Sequence, residues 1–258
     1  MTSLDLKNVG KSFGGLQAIR DVSFTMASGE ITGLIGPNGA GKSTLVNLIT
    51  GLLKLSSGTI TLDGQDIGTA PPEAVVRLGV ARTFQNIRLL TDGTVLENVM
   101  IGYHRRETAS ILSGLLALPS SRAETAQLQD AAMEMLGRFE IGHLAHATAG
   151  ALSYGHQRRV EMARAFATDP QILLLDEPVA GMNEAESESL GHLFRKLADS
   201  GVGILLIEHD VKFVSKLCHQ VHVLDSGRII ASGTPDYVLK HPDVVAAYLG
   251  TDEFEGVA

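Results

Sequence analysis

The chain has 258 residues, a formal net charge of −8 and one cysteine, Cys218. The acidic balance argues against broad nucleic-acid binding through a basic face, and a single cysteine excludes an internal disulfide. The hydrophobic fraction of 44% suffices for a sizeable core, so the length allows one large domain, or one domain with a smaller helical lobe.

The beginning of the chain, residues 1–7, lacks the basic start and apolar run of a secretory signal. Its longest apolar runs are far shorter than the roughly 20 residues of a membrane-spanning helix. We therefore expect a soluble, cytoplasmic protein that reaches a membrane only through a partner.

Residues 1–35 predict strands, because apolar and polar residues alternate there and a turn is expected at Gly14-Gly15. Phe13 stands at this turn, 23 residues before the next motif. An aromatic ring in that place could stack on an adenine, whereas a core or turn phenylalanine is the reading that spacing alone favours.

A complete phosphate-binding loop follows the apolar run 31–35 and leads into the helical pattern of 45–49. Its glycines let several backbone N–H groups point at one anion, and the helix N-terminus adds its positive end. The lysine can reach terminal phosphates, and the serine hydroxyl can hold Mg²⁺. The loop predicts nucleoside triphosphate binding by Gly36, Pro37, Asn38, Gly39, Ala40, Gly41, Lys42, Ser43 and Thr44.

The middle of the chain changes character. Residues 58–64 predict a hairpin strand that ends in Asp-Gly, and Gln85 follows a strand at 80–84. A glutamine amide can ligate Mg²⁺ and can also swing away, although a lone glutamine after a strand usually has no such role. From there to about residue 150 the pattern indicates helices with polar linkers.

The segment Leu152-Ser153-Tyr154-Gly155-His156-Gln157 precedes a predicted helix. Ser153 suits an N-cap, and Gly155 lets a phosphate approach the backbone at the positive helix end. An ordinary N-cap is the alternative. Because the chain already has one anion site, this loop suggests contact with a nucleotide bound by another copy.

Two acids close the buried apolar strand at 172–175, where ligand sites of open α/β sheets lie. Asp176 is placed to orient the Mg²⁺ shell, and Glu177 to act as general base toward water. His209 follows the next strand and could touch the γ-phosphate and orient the water. The alternatives are solvated acids and a capping or surface histidine.

The order of elements predicts an α/β fold with a mixed β-layer, a mostly parallel sheet and an inserted helical subdomain. We expect the ATP-binding core at 1–86 and 161–235, the helical subdomain at 87–160 and a C-terminal helical extension at 236–258. Asn183 and Glu186 are expected to cap the helix that follows the acidic pair.

Taken together, the motifs resemble the ATP-binding subunit of an ABC transporter over nearly the whole chain. Gly36–Thr44 is similar to Walker A, Gln85 to the Q-loop, residues 152–157 to the signature, residues 172–177 to Walker B and His209 to the switch histidine. Finer features at 81–89, 152–159, 180–183 and 247–250 resemble importers of branched-chain amino acids, and the stretch near 104–125 resembles their longer ATPase subunit.

The resemblance implies ATP and Mg²⁺ as cofactors and catalytic roles for Glu177, His209 and Lys42. It also implies a head-to-tail dimer, with itself or with a sister ATPase subunit, whose signature residues Ser153 and Gly155 cover the nucleotide of the partner. Transmembrane permease subunits would hold the dimer at the inner face of the membrane, and a periplasmic or lipoprotein solute-binding protein would deliver the substrate.

The sequence departs from the pattern at His156, where the family has glutamine, and at 90–94, where a more apolar stretch is usual. Importers of urea and short amides have closely related subunits, so the substrate stays open. A soluble ABC ATPase without a transport role usually has a long coiled coil or two ATPase halves, and neither pattern occurs. A GTPase or nucleotide kinase shares the phosphate loop but leaves residues 152–157 unexplained.

Overall fold

The computed structural model of the protein describes residues 2–84, 86–103 and 119–248, and it describes only the backbone of residues 119–123. The chain divides into two compact units: unit 1 comprises Met1–Arg82 and Gln171–Ala258, and unit 2 is Thr83–Pro170. The predicted helical subdomain, 87–160, is shorter than unit 2 because a continuous helix crosses residue 160. Of the predicted C-terminal extension, 236–258, the described residues 236–248 fall within unit 1, and residues 249–258 lie outside the described residues.

The described residues form ten strands and nine helices. Strands β1 to β10 span Ser3–Phe13, Leu16–Ala27, Ile31–Ile35, Ser57–Leu62, Gln65–Asp66, Val80–Arg82, Ile172–Asp176, Gly203–Ile207, Gln220–Asp225 and Arg228–Gly233. Helices α1 to α9 span Lys42–Ile49, Pro72–Arg77, Val95–Gly102, Pro119–Arg138, Tyr154–Phe166, Glu184–Asp199, Val211–Leu217, Pro235–Val238 and Pro242–Tyr248. Short 3-10 turns lie at Gly142–Leu144 and Ala149–Ala151. None of these helices is long and apolar enough to cross a membrane.

The first sheet of unit 1 is antiparallel, with the strand order β2-β1-β4-β5. Tight turns join its strands at Gly14-Gly15 and at Asp63-Gly64, where both residues have positive φ, 49° and 78°. That pair of left-handed conformations suits a two-residue hairpin turn, which confirms the predicted Asp-Gly hairpin.

The second sheet has the order β10-β9-β3-β8-β7-β6. All its pairs are parallel except the edge pair of β9 and β10. Every residue of β3, β7 and β8 is buried, as the continuous apolar runs predicted. The predicted α/β class is confirmed. The carboxyl ends of β3, β8 and β7 lie side by side, so the loops that follow these strands meet at one sheet edge.

Helix α1 packs four apolar side chains, Leu45, Val46, Leu48 and Ile49, into one core with residues of both sheets. Helix α6 begins at the predicted cap: Asn183 accepts from the Glu186 N–H and Glu186 reaches back to the Asn183 N–H, both at 3.0 Å. Both helices therefore begin at fixed points near the edge where β3 and β7 end.

Unit 2 is helical in its described residues. One apolar face of α4 is buried at Ala132, Met135 and Leu136. Thr94 and Glu97 form a capping box that starts α3, and α3 packs on both α4 and α5. The end of α3 lies against the end of α5, since a Cβ on Gly102 would lie 2.3 Å from the Arg164 carbonyl oxygen.

Candidate functional site

The loop between β3 and α1 needs glycine for two physical reasons. Gly36 has φ 150°, and a Cβ on it would lie 1.9 Å from the Leu224 carbonyl oxygen. Gly41 precedes α1 with φ 108°, and a Cβ there would lie 2.9 Å from the Ala18 oxygen. The backbone therefore curls tightly directly before a helix N-terminus, where first-turn N–H groups have no acceptor inside the helix.

Lys42 is the first residue of α1 and only 9% exposed. Its ammonium lies within the loop and donates to the carbonyl oxygens of Gly36 and Pro37, the latter at 3.1 Å. Asn38, Gly39 and Ser43 are exposed around it. A fixed cation, a helix N-terminus and an accessible hydroxyl suit a polyphosphate.

Asp176 ends β7 and is 6% exposed. Its Oδ2 lies 2.7 Å from the Arg82 guanidinium, which also donates to the Asn47 side chain on α1. Arg82 is not among the predicted site residues, although a cation at the end of an apolar strand, Val80–Arg82, is the signal that could have identified it. Arg82 thus connects the strand of Asp176 with the helix of Lys42.

Glu177 and His209 come together beyond the ends of β7 and β8. Glu177 Oε1 lies 4.0 Å from His209 Nδ1, and their side chains are 23% and 45% exposed. Glu177 has φ 46° and donates its backbone N–H to the Ile207 carbonyl at 2.9 Å. A half-exposed carboxylate beside an imidazole can accept a proton from water and orient it.

Glu208 directly precedes His209 in the chain and is fully buried. It accepts hydrogen bonds from the Val179 N–H at 3.1 Å and from the His209 N–H at 3.3 Å. Burial raises the pKa of Glu208 to about 7, and the hydrogen bond from Val179 opposes that rise. Glu208 is not among the predicted site residues, although an acid that follows the apolar run of β8 is the same signal that identified Asp176.

The oxygen donors at this edge fit Mg²⁺. It prefers hard oxygen ligands, one or two from the protein and the rest from phosphates and water. The Ser43 hydroxyl and the Asp176 carboxylate could supply the protein share. Within the described residues no group of three or more His, Cys, Asp or Glu side chains could hold a metal ion. Gln85, the third predicted ligand, lies outside the described residues.

Phe13 closes β1 at the turn to β2 and is 46% exposed. The Lys11 ammonium lies 4.9 Å from its ring centroid. The exposed ring is available for stacking, and the alternative of a core phenylalanine is excluded by this exposure. Phe13 and the loop at 36–44 both belong to unit 1.

In unit 2, Ser153 occupies the N-cap position of α5, as predicted. Its Oγ lies 3.1 Å from His156 Nδ1 rather than bonding a first-turn backbone N–H. The departure at His156 therefore provides a side-chain partner for Ser153. Gly155 is half-buried at the same helix start, so both predicted contact residues lie at a positive helix end.

The same helix contains a buried ion pair. Arg158 and Glu161 are 0% and 2% exposed at their side chains and lie 2.7 Å apart. Arg158 also donates to the Phe84 carbonyl, and Glu161 accepts from the Phe84 N–H at 3.4 Å. This pair holds both backbone groups of the residue that directly precedes Gln85.

Comparison with known proteins agrees with this arrangement. Residues 19–180 match the ABC transporter family, and residues 228–253 match the family described as branched-chain amino acid ATP-binding cassette transporter. The chain is 42% identical over 250 residues to the high-affinity branched-chain amino acid transport ATP-binding protein LivG of Escherichia coli K12, covering 96% of this chain and 97% of LivG. It is 40% identical over 248 residues to the corresponding BraF of Pseudomonas aeruginosa, covering 96% and 97%.

A solved structure is similar over the same extent. The ADP conformation of MJ1267, an ATP-binding cassette of an ABC transporter, superposes with a TM-score of 0.85 at 35% identity, covering 97% of this chain and 99% of that one. The likeness thus extends through both units and well beyond the individual motifs. The resemblance seen in the sequence is confirmed, and the chain belongs to the ABC transporter family of ATP-binding proteins.

Proposed function

We propose that this chain hydrolyses ATP and thereby drives an importer of branched-chain amino acids. The observation that carries the proposal is the meeting of two features at one sheet edge of unit 1. The phosphate loop with Lys42 follows β3, and the Glu177–His209 pair, 4.0 Å apart, follows β7 and β8. A phosphate grip beside a proton acceptor suits phosphoryl transfer to water.

The residues of the chain take the following parts. The backbone N–H groups of 38–44 and the Lys42 ammonium grip the phosphates, and Phe13 stacks on the base. Glu177 accepts a proton from the attacking water, and His209 orients that water against the terminal phosphate. Ser43, Asp176 and Gln85 hold Mg²⁺, which supplies neutralisation of phosphate charge when bound.

The full site belongs to a dimer in this proposal. Ser153 and Gly155 of a second protomer, or of a sister subunit, cover the nucleotide bound at 36–44. In this arrangement the positive N-terminus of α5, at Ser153, faces the phosphates of the nucleotide bound by the other protomer. Hydrolysis then requires closure of the pair, which links chemistry to movement of the permease.

The proposed substrate follows from the relatives. LivG and BraF are named for branched-chain amino acid transport, and the match at 228–253 is to a family named for the same substrates. In this reading the chain attaches to permease subunits at the inner face of the membrane, and a solute-binding protein delivers the amino acid.

Transport by the reconstituted complex tests the proposal. The chain, a sister ATPase subunit and permease subunits would be placed in proteoliposomes with ATP inside and the solute-binding protein outside. Leucine, isoleucine and valine should be taken up only with ATP. Uptake of urea or short amides instead of these amino acids would show that the proposed substrate is wrong. Turnover of GTP without turnover of ATP would contradict the proposed function itself.

A further inference from the structure

Glu208 connects the loop that follows β7 with the loop that follows β8. One of its carboxylate oxygens accepts from the Val179 N–H at 3.1 Å, and the other accepts from the His209 N–H at 3.3 Å. Val179 follows Glu177 by two residues, and the Ala180 N–H returns to the Glu177 carbonyl at 3.3 Å. A single buried side chain therefore connects the loop of Glu177 with the loop of His209.

We propose that Glu208 is a positioning residue that sets the separation between Glu177 and His209. Both of its hydrogen bonds described above go to the loops of these two residues, so it acts through the loops that it joins. The inference rests on the proposed ATP hydrolysis, because the 4.0 Å between Glu177 Oε1 and His209 Nδ1 matters only if these groups act on one water.

A stability role is a poor explanation for this carboxylate. Burying a carboxylate costs hydration free energy, which the hydrogen bonds from two backbone N–H groups offset only in part. Burial raises the pKa of Glu208 to about 7, although the N–H groups of Val179 and His209 and the His209 ring favour its charged form. Glu177 and the Cys218 thiol also lie close enough to interact with it. The gain from the buried acid is the alignment of two loops.

A graded pair of variants separates positioning from folding. Glu208→Gln keeps the shape of the side chain and one of its two acceptor oxygens. Glu208→Met keeps the length of the side chain and removes both acceptor oxygens. We expect kcat for ATP to fall about tenfold in the first and about 100-fold in the second, because small misplacement of catalytic groups has such effects. KM for ATP should change less than about twofold, since the loop at 36–44 is untouched. Glu73→Gln, which neutralises an exposed acid on α2 of the same unit, should match the wild type.

Amide hydrogen exchange and melting temperature give readouts that need no turnover. In the full-length chain, the backbone N–H of Val179 should exchange faster in Glu208→Gln and faster still in Glu208→Met. The melting temperature of Glu208→Gln should equal or exceed that of the wild type. A structural role alone predicts that kcat falls only as far as the folded fraction falls.

The outcomes separate this inference from the proposed function. Wild-type kcat in both Glu208 variants, or unchanged exchange of the Val179 N–H, overturns the positioning role. Even then, the proposed function stands if the wild-type protein turns over ATP and Glu177→Gln does not. If the wild type shows no turnover with its partner subunits present, the proposed function fails, and the exchange experiment still decides whether Glu208 holds the two loops.

Discussion

Glu177 has an unusual backbone for a long acidic side chain. Its φ of 46° lies in the left-handed region, which is uncommon outside glycine. The hydrogen bond from its N–H to the Ile207 carbonyl, 2.9 Å long, holds this conformation. The carboxylate is thereby held beyond the end of β7 near His209. An uncommon backbone conformation at this place supports the proposed role of Glu177.

Glu177→Gln should retain ATP binding and lose nearly all turnover, because an amide of the same shape cannot accept the proton from water. General bases contribute roughly 10²–10⁴-fold, so we expect kcat to fall by at least about 100-fold. A steady-state ATPase assay with a parallel nucleotide-binding titration checks both parts. Turnover close to that of the wild type would remove Glu177 from the base role.

Lys42→Ala should weaken nucleotide binding while leaving the fold intact. The Lys42 ammonium is almost buried in the phosphate loop, and truncating one partner of a buried charge pair costs about 2–4 kcal/mol. Isothermal titration with ATP and Mg²⁺ measures the loss. An unchanged dissociation constant would contradict the placement of the phosphates at Lys42.

His222 should make the protein less stable in acid. It is 4% exposed on β9, accepts or donates a 2.8 Å hydrogen bond with Ser232 and stacks on Phe24 at 4.6 Å. Burial lowers the pKa of His222 to about 4, against 6.5 for a free imidazole. The unfolded chain therefore binds more protons between these values. The contribution of the neutral His222 to the free energy of unfolding is fully present above pH 6.5 and falls as the pH drops toward 4. The loss at pH 5 is about 2 kcal/mol.

Urea unfolding at pH 7.5 and pH 5 tests this expectation. His222→Gln keeps a side chain that can bond Ser232 and should show a pH dependence smaller by about 2 kcal/mol. His192→Gln removes an exposed histidine from α6 and should behave like the wild type. Equal pH dependence in all three proteins would show that His222 does not titrate on unfolding.

At the scale of elements, helix α5 depends on its buried charges. Removing Arg158 would take from the buried Glu161 its hydrogen-bonded cation, although the electrostatic interaction with Arg164 remains. Breaking a buried ion pair in this way typically costs about 3–5 kcal/mol. Arg158→Met should therefore destabilise the protein strongly, and the double variant with Glu161→Gln should recover much of that loss. Urea unfolding of the single and double variants measures the coupling between the two side chains.

The matched control for this pair is on α4. Arg138 and Glu134 also lie 2.7 Å apart, but their side chains are 52% and 69% exposed. An exposed i,i+4 pair is worth about 0.3–0.5 kcal/mol, so Arg138→Met should be nearly neutral. Comparable losses at Arg158 and Arg138 would mean that burial does not govern the Arg158 pair.

The elements show which parts of the fold the sequence could predict. Local chemistry predicted the loop at 36–44, the Asp63-Gly64 hairpin, the cap at Asn183 and the buried strands β7 and β8. The pairing of residues far apart in the chain could not be predicted, because the residue types at strand ends do not show which strands are neighbours in the sheet. Arg82 meets Asp176 across 94 positions, and Glu208 meets Val179 across 29. The unit boundaries also depend on such contacts.

At the scale of the whole molecule, the proposed site is shared by two protomers, so its activity should depend on their encounter. ATP hydrolysis per molecule should rise with protein concentration in the range where dimers form, since Ser153 and Gly155 must come from the second copy. A steady-state ATPase assay over a dilution series measures this dependence. A specific activity that stays constant on dilution to monomers would contradict the shared site.

Mixing two inactive variants gives a sharper form of the same test. Glu177→Gln removes the base from a protomer's own nucleotide site, and Ser153→Arg blocks the site of its partner. In a mixed pair, the Ser153→Arg protomer keeps its own base and is covered by the intact Ser153 of the Glu177→Gln protomer, so one complete site forms. The mixture should therefore hydrolyse ATP although neither variant does so alone, and a mixture that stays inactive while mixed dimers form would contradict this arrangement.

The strand that leads into the phosphate loop, β3, pairs only with strands that are synthesised much later. The two neighbours of β3 in its sheet are β8 and β9, which lie more than 160 positions further along the chain. On a ribosome, Ile31–Ile35 emerges early and stays without either hydrogen-bonding neighbour until most of the polypeptide has been made. Nascent chains truncated before residue 203 should therefore expose an apolar strand to chaperones, and nucleotide should protect only chains that extend past β9.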